Sequence, residues 1–517
     1  MLDLAMSKHA QHAAFRALER ALSCADVDTL SGAFCAWLQA RGVRKGDLVA
    51  LMAPNLMAFP VVSLGILRAG AVQVNVNPQY TPRELEHQLN DSGSEFIVIY
   101  AGATQALAEV VDRTGGVRTV VTIAAGDCCG APLPSSSVDA RLVGPVALSS
   151  ALAEGAALVR APVDIAAADL AFLQYTGGTT GVSKGAALSH RNLVANVAQF
   201  KAIVGDGLRP GEEVVVTAIP LYHVFALMVN FFTCFLAGAE NWLVANPRDM
   251  DSFIDVLKLA QPTVFMGVNT LYAGLTGHPR LAEVDFSRLR LARGRGAAIH
   301  AGTSARWAAI TGQFIREGYG LSEASPVLSF TQAHVIEFSG TAGLPLPSTD
   351  IVLLADDDCV ANPGEAGEVC ARGPQVMRGY WNKPEANSTA FTADGFFRTG
   401  DIGLFDERGF LKIIDRKKDM IIVSGFNVYP NEIEAVASAM PGVLECACIG
   451  VADDKTGEAV KLFVVAAPSS GLTEEDVREF CRVQLAAYKV PKFVRLIDAL
   501  PKSAVGKLLR RELRDAR

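Results

Sequence analysis

Residues 175–185 read Tyr-Thr-Gly-Gly-Thr-Thr-Gly-Val-Ser-Lys-Gly, with four glycines, three threonines and one lysine in eleven positions. Glycines such as Gly177, Gly178 and Gly181 let a backbone turn tightly and bring its N–H groups onto an anion. The hydroxyls of Thr176, Thr179 and Thr180 add short donors or a metal ligand, and Lys184 adds a mobile positive charge for phosphate oxygens. The chemistry indicated is phosphate binding. The spacing is not that of the common P-loop, in which Gly-Lys-Ser/Thr opens directly into a helix. Here Ser183 precedes Lys184 and Gly185 follows it. The next helix-start signal is Ser189, so the segment is expected between strands, behind the apolar lead-in Leu170–Leu173. A solvated turn is the plain alternative.

Other segments downstream carry chemistry. Glu317-Gly-Tyr-Gly-Leu-Ser-Glu323 sets Tyr319 between glycines, where its face is open to a flat ring, and places Glu323 four residues on as a carboxylate suited to Mg2+. Arg398-Thr-Gly-Asp401 puts a carboxylate at a tight turn, able to accept two hydrogen bonds from a diol. Asp415-Arg-Lys-Lys-Asp419 is five consecutive charges between two apolar runs, which taken alone reads as a solvated hairpin. Lys507 follows a glycine near the end of the chain. His223 stands before the very apolar stretch Val224–Ala237, where a lone histidine is either structural or the gate of a pocket.

Alternating helical and strand patterns must position these residues. Strands are expected at 47–52, 71–76, 96–99, 214–218 and 263–268, with helices at 30–38, 59–69 and from Pro82. Segments 128–137 and 153–163 read as loops. The fold class is α/β: a large N-terminal domain of helix-covered, mostly parallel sheets, followed by a small mobile α+β domain. The expected limits are 1–414, with sub-domains about 1–165, 166–330 and 331–414, and 415–517 after a hinge at Asp415. In the small domain, helices are expected from Pro430 and behind the capping signal at Thr473.

The chain has 517 residues, 50% hydrophobic and 20% charged, enough for several domains and a large core. A net charge of −7 argues against nucleic acid as a partner, although eight basic residues lie between Lys489 and Arg514. Ten cysteines without a CxxC pair fit a reducing cytoplasm and argue against structural zinc. The start lacks the basic and apolar regions of a signal peptide. The fourteen residues 224–237 are short for a membrane span and read as a buried helix.

The glycine–threonine loop, Glu-Gly-Tyr-Gly-Leu-Ser-Glu, Arg-Thr-Gly-Asp, Asp-Arg-Lys-Lys-Asp, Ser-Gly-Phe-Asn-Val-Tyr-Pro and Pro-Lys-Ser-x-x-Gly-Lys, in this order, resemble the adenylate-forming superfamily. This superfamily comprises acyl-CoA synthetases, luciferases and peptide-synthetase adenylation domains. Within it the chain is most similar to bacterial long-chain fatty acid–CoA ligases, from about Gly42 to Arg514. The resemblance implies activation of a fatty acid by ATP to an acyl-adenylate, then transfer to coenzyme A with release of AMP and pyrophosphate. It implies that Tyr175, Thr176, Gly177, Gly178, Thr179, Thr180, Gly181 and Lys184 bind nucleotide. Glu323 would hold Mg2+ with Thr176 or Thr180, and Tyr319 would stack on adenine. Asp401 and Arg416 would hold the ribose, and Lys507 would neutralise charge between carboxylate and α-phosphate. His223, Gly294, Arg295 and Gly296 would border the acyl substrate. Gly425 would reach the coenzyme A tunnel after a rotation about Asp415, a hinge expected to be solvated. The expected location is cytoplasmic, with peripheral contact at the inner face of the cytoplasmic membrane and a homodimer left open.

Two departures stand out. Where such ligases carry a glycine-rich strand end, this chain has Ala292-Arg-Gly-Arg-Gly-Ala297. Arg295 there would clash with substrate, point away or pair with an anion. A catalytically impaired homologue that binds nucleotide or acyl chain is therefore the alternative, beside a ligase for a medium-chain or aromatic acid. The second departure is a short N-terminus, with Ser23–Thr29 in place of a usual aromatic strand and turn, so an edge strand is expected to be missing.

Overall fold

The computed structural model describes residues 1–17, 20–130, 133, 136–176, 183–295, 298–468, 470–503 and 508–515. Two large sheets dominate it. A seven-stranded sheet runs, edge to edge, Val146–Ala147, Thr119–Ile123, Phe96–Tyr100, Leu48–Met52, Val72–Asn75, Leu170–Thr176 and Lys184–Ser189. All neighbours are parallel except the last two, which are antiparallel and flank the glycine–threonine loop. The central strands are buried on both faces and rich in Val, Ile and Leu, as a helix-covered parallel sheet requires.

A nine-stranded sheet has the parallel heart Ile315–Gly320, Leu291–Gly294, Val264–Gly267, Val214–Thr217 and Glu240–Leu243. Antiparallel strands Val327–Phe330 and Leu344–Pro345 extend one edge. At the other edge Ala13–Ala17 lies parallel to Glu240–Leu243, and Arg20–Ser23 pairs antiparallel to it. An edge strand was expected to be missing, but this edge is built by these two strands. Ser23 does not replace them but starts the next element, as the N-cap of helix Cys24–Ala40, in a reciprocal capping box with Asp26. Phe15 makes the edge worth keeping, because it is fully buried against Phe231 and Phe235.

Helix Cys24–Ala40 extends well before the expected 30–38 and packs on Ala58–Arg68, which is buried along nearly its whole length. Part of the 153–163 segment expected as loop is helix Leu148–Ala156. It crosses Cys24–Ala40 so closely that a Cβ on Gly155 would stand 2.0 Å from the Ala33 carbonyl oxygen. Residues 226–233 form a π-helix, buried throughout, where an ordinary core helix was expected. The sequence around it accounts for the altered ladder. Asn241 Nδ2 donates to the Asn230 carbonyl at 2.8 Å, and Thr233 Oγ1 to the Met228 carbonyl at 2.8 Å. Both draw acceptors away from the regular i→i+4 register, a departure common near functional sites.

A four-stranded antiparallel sheet follows, in the order Asp350–Leu354, Gly367–Arg372, Phe397–Phe405 and Leu411–Arg416. The last sheet is built on the long pair Val443–Asp453 and Gly457–Ala466, with Ile421–Val423, Phe426–Val428 and Phe493–Leu496. Helices Pro430–Ser438 and Glu474–Gln484 cover it, the latter capped by Thr473 and Asp476. Strands Leu411–Arg416 and Ile421–Val423 belong to different sheets, so the five charges between them are not a hairpin turn. Nor are they all solvated. Asp415 is only 1% exposed and accepts from the Arg416 N–H at 2.7 Å and the Asn431 N–H at 2.8 Å, while Lys417 and Lys418 are exposed.

Candidate active site

The residues with chemical potential gather at the C-terminal ends of parallel strands, where open α/β sheets present their ligands. Strand Leu170–Thr176 ends just before the glycine–threonine segment, Ile315–Gly320 ends at Tyr319, Leu291–Gly294 at Arg295, and Val214–Thr217 leads to His223. Gly177, Gly178, Thr179, Thr180, Gly181, Gly296 and Lys507 lie outside the described residues.

Two polar clusters stand on these ends. In the first, Lys184 pairs in register with Thr176, and its Nζ lies 5.2 Å over the ring of Tyr380. The Tyr380 hydroxyl donates to Glu323 Oε1 at 2.9 Å. Segment 379–381 is held against strand Lys184–Ser189 by N–H bonds from Ala187 to the Gly379 carbonyl and from Trp381 to the Gly185 carbonyl. The Met377 N–H donates to the Glu323 carbonyl at 2.7 Å, fixing the turn that carries this carboxylate. Glu323 is 7% exposed and makes no ion pair within 4 Å among the described residues. Burial raises its pKa, and its own backbone N–H and the Tyr380 hydroxyl oppose the shift. A buried carboxylate linked through the Tyr380 hydroxyl to the neighbourhood of Lys184 is a hard oxygen donor fit for Mg2+.

In the second cluster the Tyr319 hydroxyl donates to Asp401 Oδ2 at 2.6 Å, and Arg416 Nε lies 3.5 Å from Asp401 Oδ1. Asp401 and Arg416 are register partners on neighbouring strands. Thr399 orders the turn: its Oγ1 donates to the Val369 carbonyl and accepts from the Asp401 N–H. Burial, reinforced by Asp401, holds the Tyr319 phenol well above its usual pKa, so it remains a hydrogen-bond donor. Residues 82 positions apart, expected to serve one nucleoside, are thus in contact.

Other expectations fare differently. Tyr175 was grouped with the nucleotide ligands, but its hydroxyl donates to Asp91 Oδ2 at 2.8 Å, and Asp91 also binds Lys383. It anchors the strand to helix Pro82–Ser92 because alternation on the strand turns it away from the side that Thr176 faces. Gly425 occupies an exposed two-residue turn of the small domain with Ser424. Both have positive φ (84° and 52°), the geometry of a tight hairpin, and nothing lies within 4 Å of where a Cβ on Gly425 would stand. His223 is half-buried beside Tyr222, with ring centroids 4.8 Å apart, one turn before the π-helix. Gly294 is buried against Ile299 and Ile315.

Arg293 and Arg295 both turn inward, at 4% and 5% exposure. Arg293 lies over Phe330 at 4.4 Å and Phe200 at 5.5 Å, inside the core. Arg295 donates from Nη2 to the Pro326 carbonyl and lies 5.3 Å over Phe225. Burial pulls each guanidinium down to about 9. Arg295 thus points inward, between Phe225 and the Pro326 carbonyl. Tyr380, Asp91 and Lys383 were missed. The one local hint for Tyr380 was Gly379 immediately before it, and neither acid–base partner shows a pattern in sequence.

A family model described as AMP-binding enzyme matches residues 2–381, and one described as AMP-binding enzyme C-terminal domain matches 432–507. The chain belongs to the AMP-binding enzyme family. Among its relatives is a long-chain-fatty-acid–CoA ligase of Escherichia coli O157:H7, 48% identical over all of this chain and 93% of the relative. ATP-bound MatB from Rhodopseudomonas palustris is 32% identical with a TM-score of 0.87, over 98% of this chain and 95% of that one. The anthranilate CoA ligase AuaEII, in complex with anthranoyl-AMP, shares the fold at a TM-score of 0.89 and 23% identity, over 100% and 96% of the two chains.

Proposed function

We propose that the protein is an ATP-dependent, AMP-forming ligase that joins a long-chain fatty acid to coenzyme A. The observation that carries this is the meeting of Lys184, Tyr380 and Glu323 on one side and Tyr319, Asp401 and Arg416 on the other, at the ends of strands that also border a fully buried, largely apolar helix. A free carboxylate is a poor acylating agent. Its oxygen attacks the α-phosphorus of ATP, the bond to the bridging oxygen breaks, and pyrophosphate departs. Like charges must be aligned and neutralised for this attack. Lys184 and the preceding loop would hold the β- and γ-phosphates. Glu323, with Thr176 or Thr180, would hold Mg2+, which when bound offsets phosphate charge. Tyr319 would face adenine, and Asp401 and Arg416 would take the ribose hydroxyls. Lys507 would stand between carboxylate and α-phosphate. In the second step the thiol of coenzyme A attacks the acyl carbon, loses its proton, and AMP leaves.

The division at 414/415, with rotation of the small domain about Asp415, belongs to this reading. The rotation would take Lys507 out and bring the turn at Gly425 in. The long, buried 224–237 wall favours an extended chain over an aryl acid. Such acids partition into bilayers, which supports a peripheral encounter at the membrane face. No described helix is long and apolar enough to cross a membrane.

The buried Arg293 and Arg295 favour a second reading, a homologue that binds nucleotide or acyl chain without completing the reaction. Acyl-CoA formation from a series of fatty acids, run beside ATP–pyrophosphate exchange, separates the two. The ligase gives both signals. Correctly folded protein giving neither refutes the first reading. Return of activity on placing glycine at 293 and 295 would assign the loss to the arginines.

A further inference from the structure

We propose that Arg295 docks the carboxylate of the acyl substrate. The inference rests on the fatty-acid reading above and adds a residue to it. Arg295 follows the parallel strand Leu291–Gly294 at its C-terminal end. On one side its guanidinium lies over Phe225, the residue that leads into the buried π-helix Ala226–Thr233. On the other it is tied through Nη2 to the Pro326 carbonyl, at the end of the turn that carries Glu323. The same Nη2 lies 2.7 Å from where a Cβ on Gly320 would stand, next to Tyr319. Arg295 therefore occupies the boundary between the apolar wall and the two polar clusters. A fatty acid that keeps its chain on that wall and its reacting oxygen toward the nucleotide must place its head at this boundary.

The guanidinium is short of partners there. Among the described residues Nε and Nη1 have no hydrogen-bond acceptor, and no carboxylate forms an ion pair with Arg295. A buried cation left unpaired is costly, and the fold keeps it only if something compensates. An incoming carboxylate supplies the missing charge and accepts the free N–H groups in short, charge-assisted bonds. It also needs a fixed cation, because it must approach a polyphosphate of the same sign. Arg293 does not qualify, although its Nε and Nη1 also have no hydrogen-bond partner among the described residues, because it lies between Phe200 and Phe330 within the core. The rival role for Arg295 is to pin the Pro326 turn and nothing more.

Binding of a head-group series separates these roles. Dodecanoate and dodecanamide share a chain and differ in charge, and each is titrated calorimetrically into the full-length protein and into Arg295→Gln and Arg295→Lys. The wild type is expected to prefer the acid by about tenfold or more, the scale of a charged hydrogen bond. R295Q should lose the preference while still binding the amide, and R295K should retain part of it. In the kinetics of R295Q, KM for the acid should rise while KM for ATP stays put. An acid-to-amide ratio that is the same in all three proteins overturns the proposal, as does a uniform loss of both ligands in R295Q with full retention in R295K, the mark of a turn-pinning role. ATP binding without binding of either dodecyl ligand by the wild type would overturn the fatty-acid reading itself, and this proposal with it.

Discussion

At the scale of single residues, the site is a set of charges whose surroundings decide their work. Lys507 is the sharpest case. Its proposed task belongs to adenylation alone, so Lys507→Ala should abolish ATP–pyrophosphate exchange yet leave thioester formation from supplied acyl-adenylate largely intact. Equal loss in both half-reactions would contradict the assignment. Glu317 shows a different use of burial. Its Oε1 accepts from the Ile299 N–H at 2.9 Å, while Oε2 is buried without a hydrogen-bond partner among the described residues. Desolvation pushes its pKa up from 4.5 to about 7. The folded protein then binds a proton that the unfolded chain releases, so the stabilising contribution is complete below the unfolded pKa and lost as pH rises through about 7. Glu317→Gln keeps the acceptor and removes the titration. Its unfolding midpoint should gain on the wild type between about pH 5 and pH 8. Parallel curves in thermal melts at those pH values would refute this.

At the scale of elements, close packing of helices sets tolerance. Gly155 lets helix Leu148–Ala156 seat on Cys24–Ala40, and the Ala33 carbonyl occupies the space of any side chain. Gly155→Val should destabilise the protein by roughly 1–3 kcal/mol or more, the usual cost of overpacking. Denaturant unfolding measures this. kcat per folded molecule should be unchanged, because neither polar cluster touches this crossing. The π-helix is an element of another kind. Its apolar run was legible, but its register depends on Asn241, eleven positions beyond Asn230, reaching back to the Asn230 carbonyl. Similarly, strands Ala13–Ala17 and Arg20–Ser23 owe their existence to Phe15 packing on residues more than two hundred positions away. No local pattern announces such partners.

At the scale of the whole molecule, the connection 415–420 joins two sheets and carries both buried anchors and exposed lysines. If the small domain rotates about it, its exposure should change with ligation. Limited trypsin digestion should cut at Lys417 or Lys418 and give a large and a small fragment. ATP with fatty acid should alter the rate of that cut relative to cuts elsewhere. A rate indifferent to ligands would argue against rotation about Asp415.

The sequence by itself determined the α/β class, the alternation of helices with the strands of the parallel sheets, and the small α+β domain. It could do so because these depend on short-range facts: the period of apolar residues, caps such as Ser189 and Thr473, and glycine at a tight turn. Only the tertiary structure decided which side chains the site can use. It turned Tyr175 toward Asp91, joined Tyr380 to Glu323 and Tyr319 to Asp401, buried Asp415, and aimed Arg295 at the boundary of the apolar wall. Each outcome is a contact between residues far apart in the chain, or a choice of face at a strand end. Electrostatic partners are chosen by distance and burial in three dimensions, which no spacing along one dimension encodes.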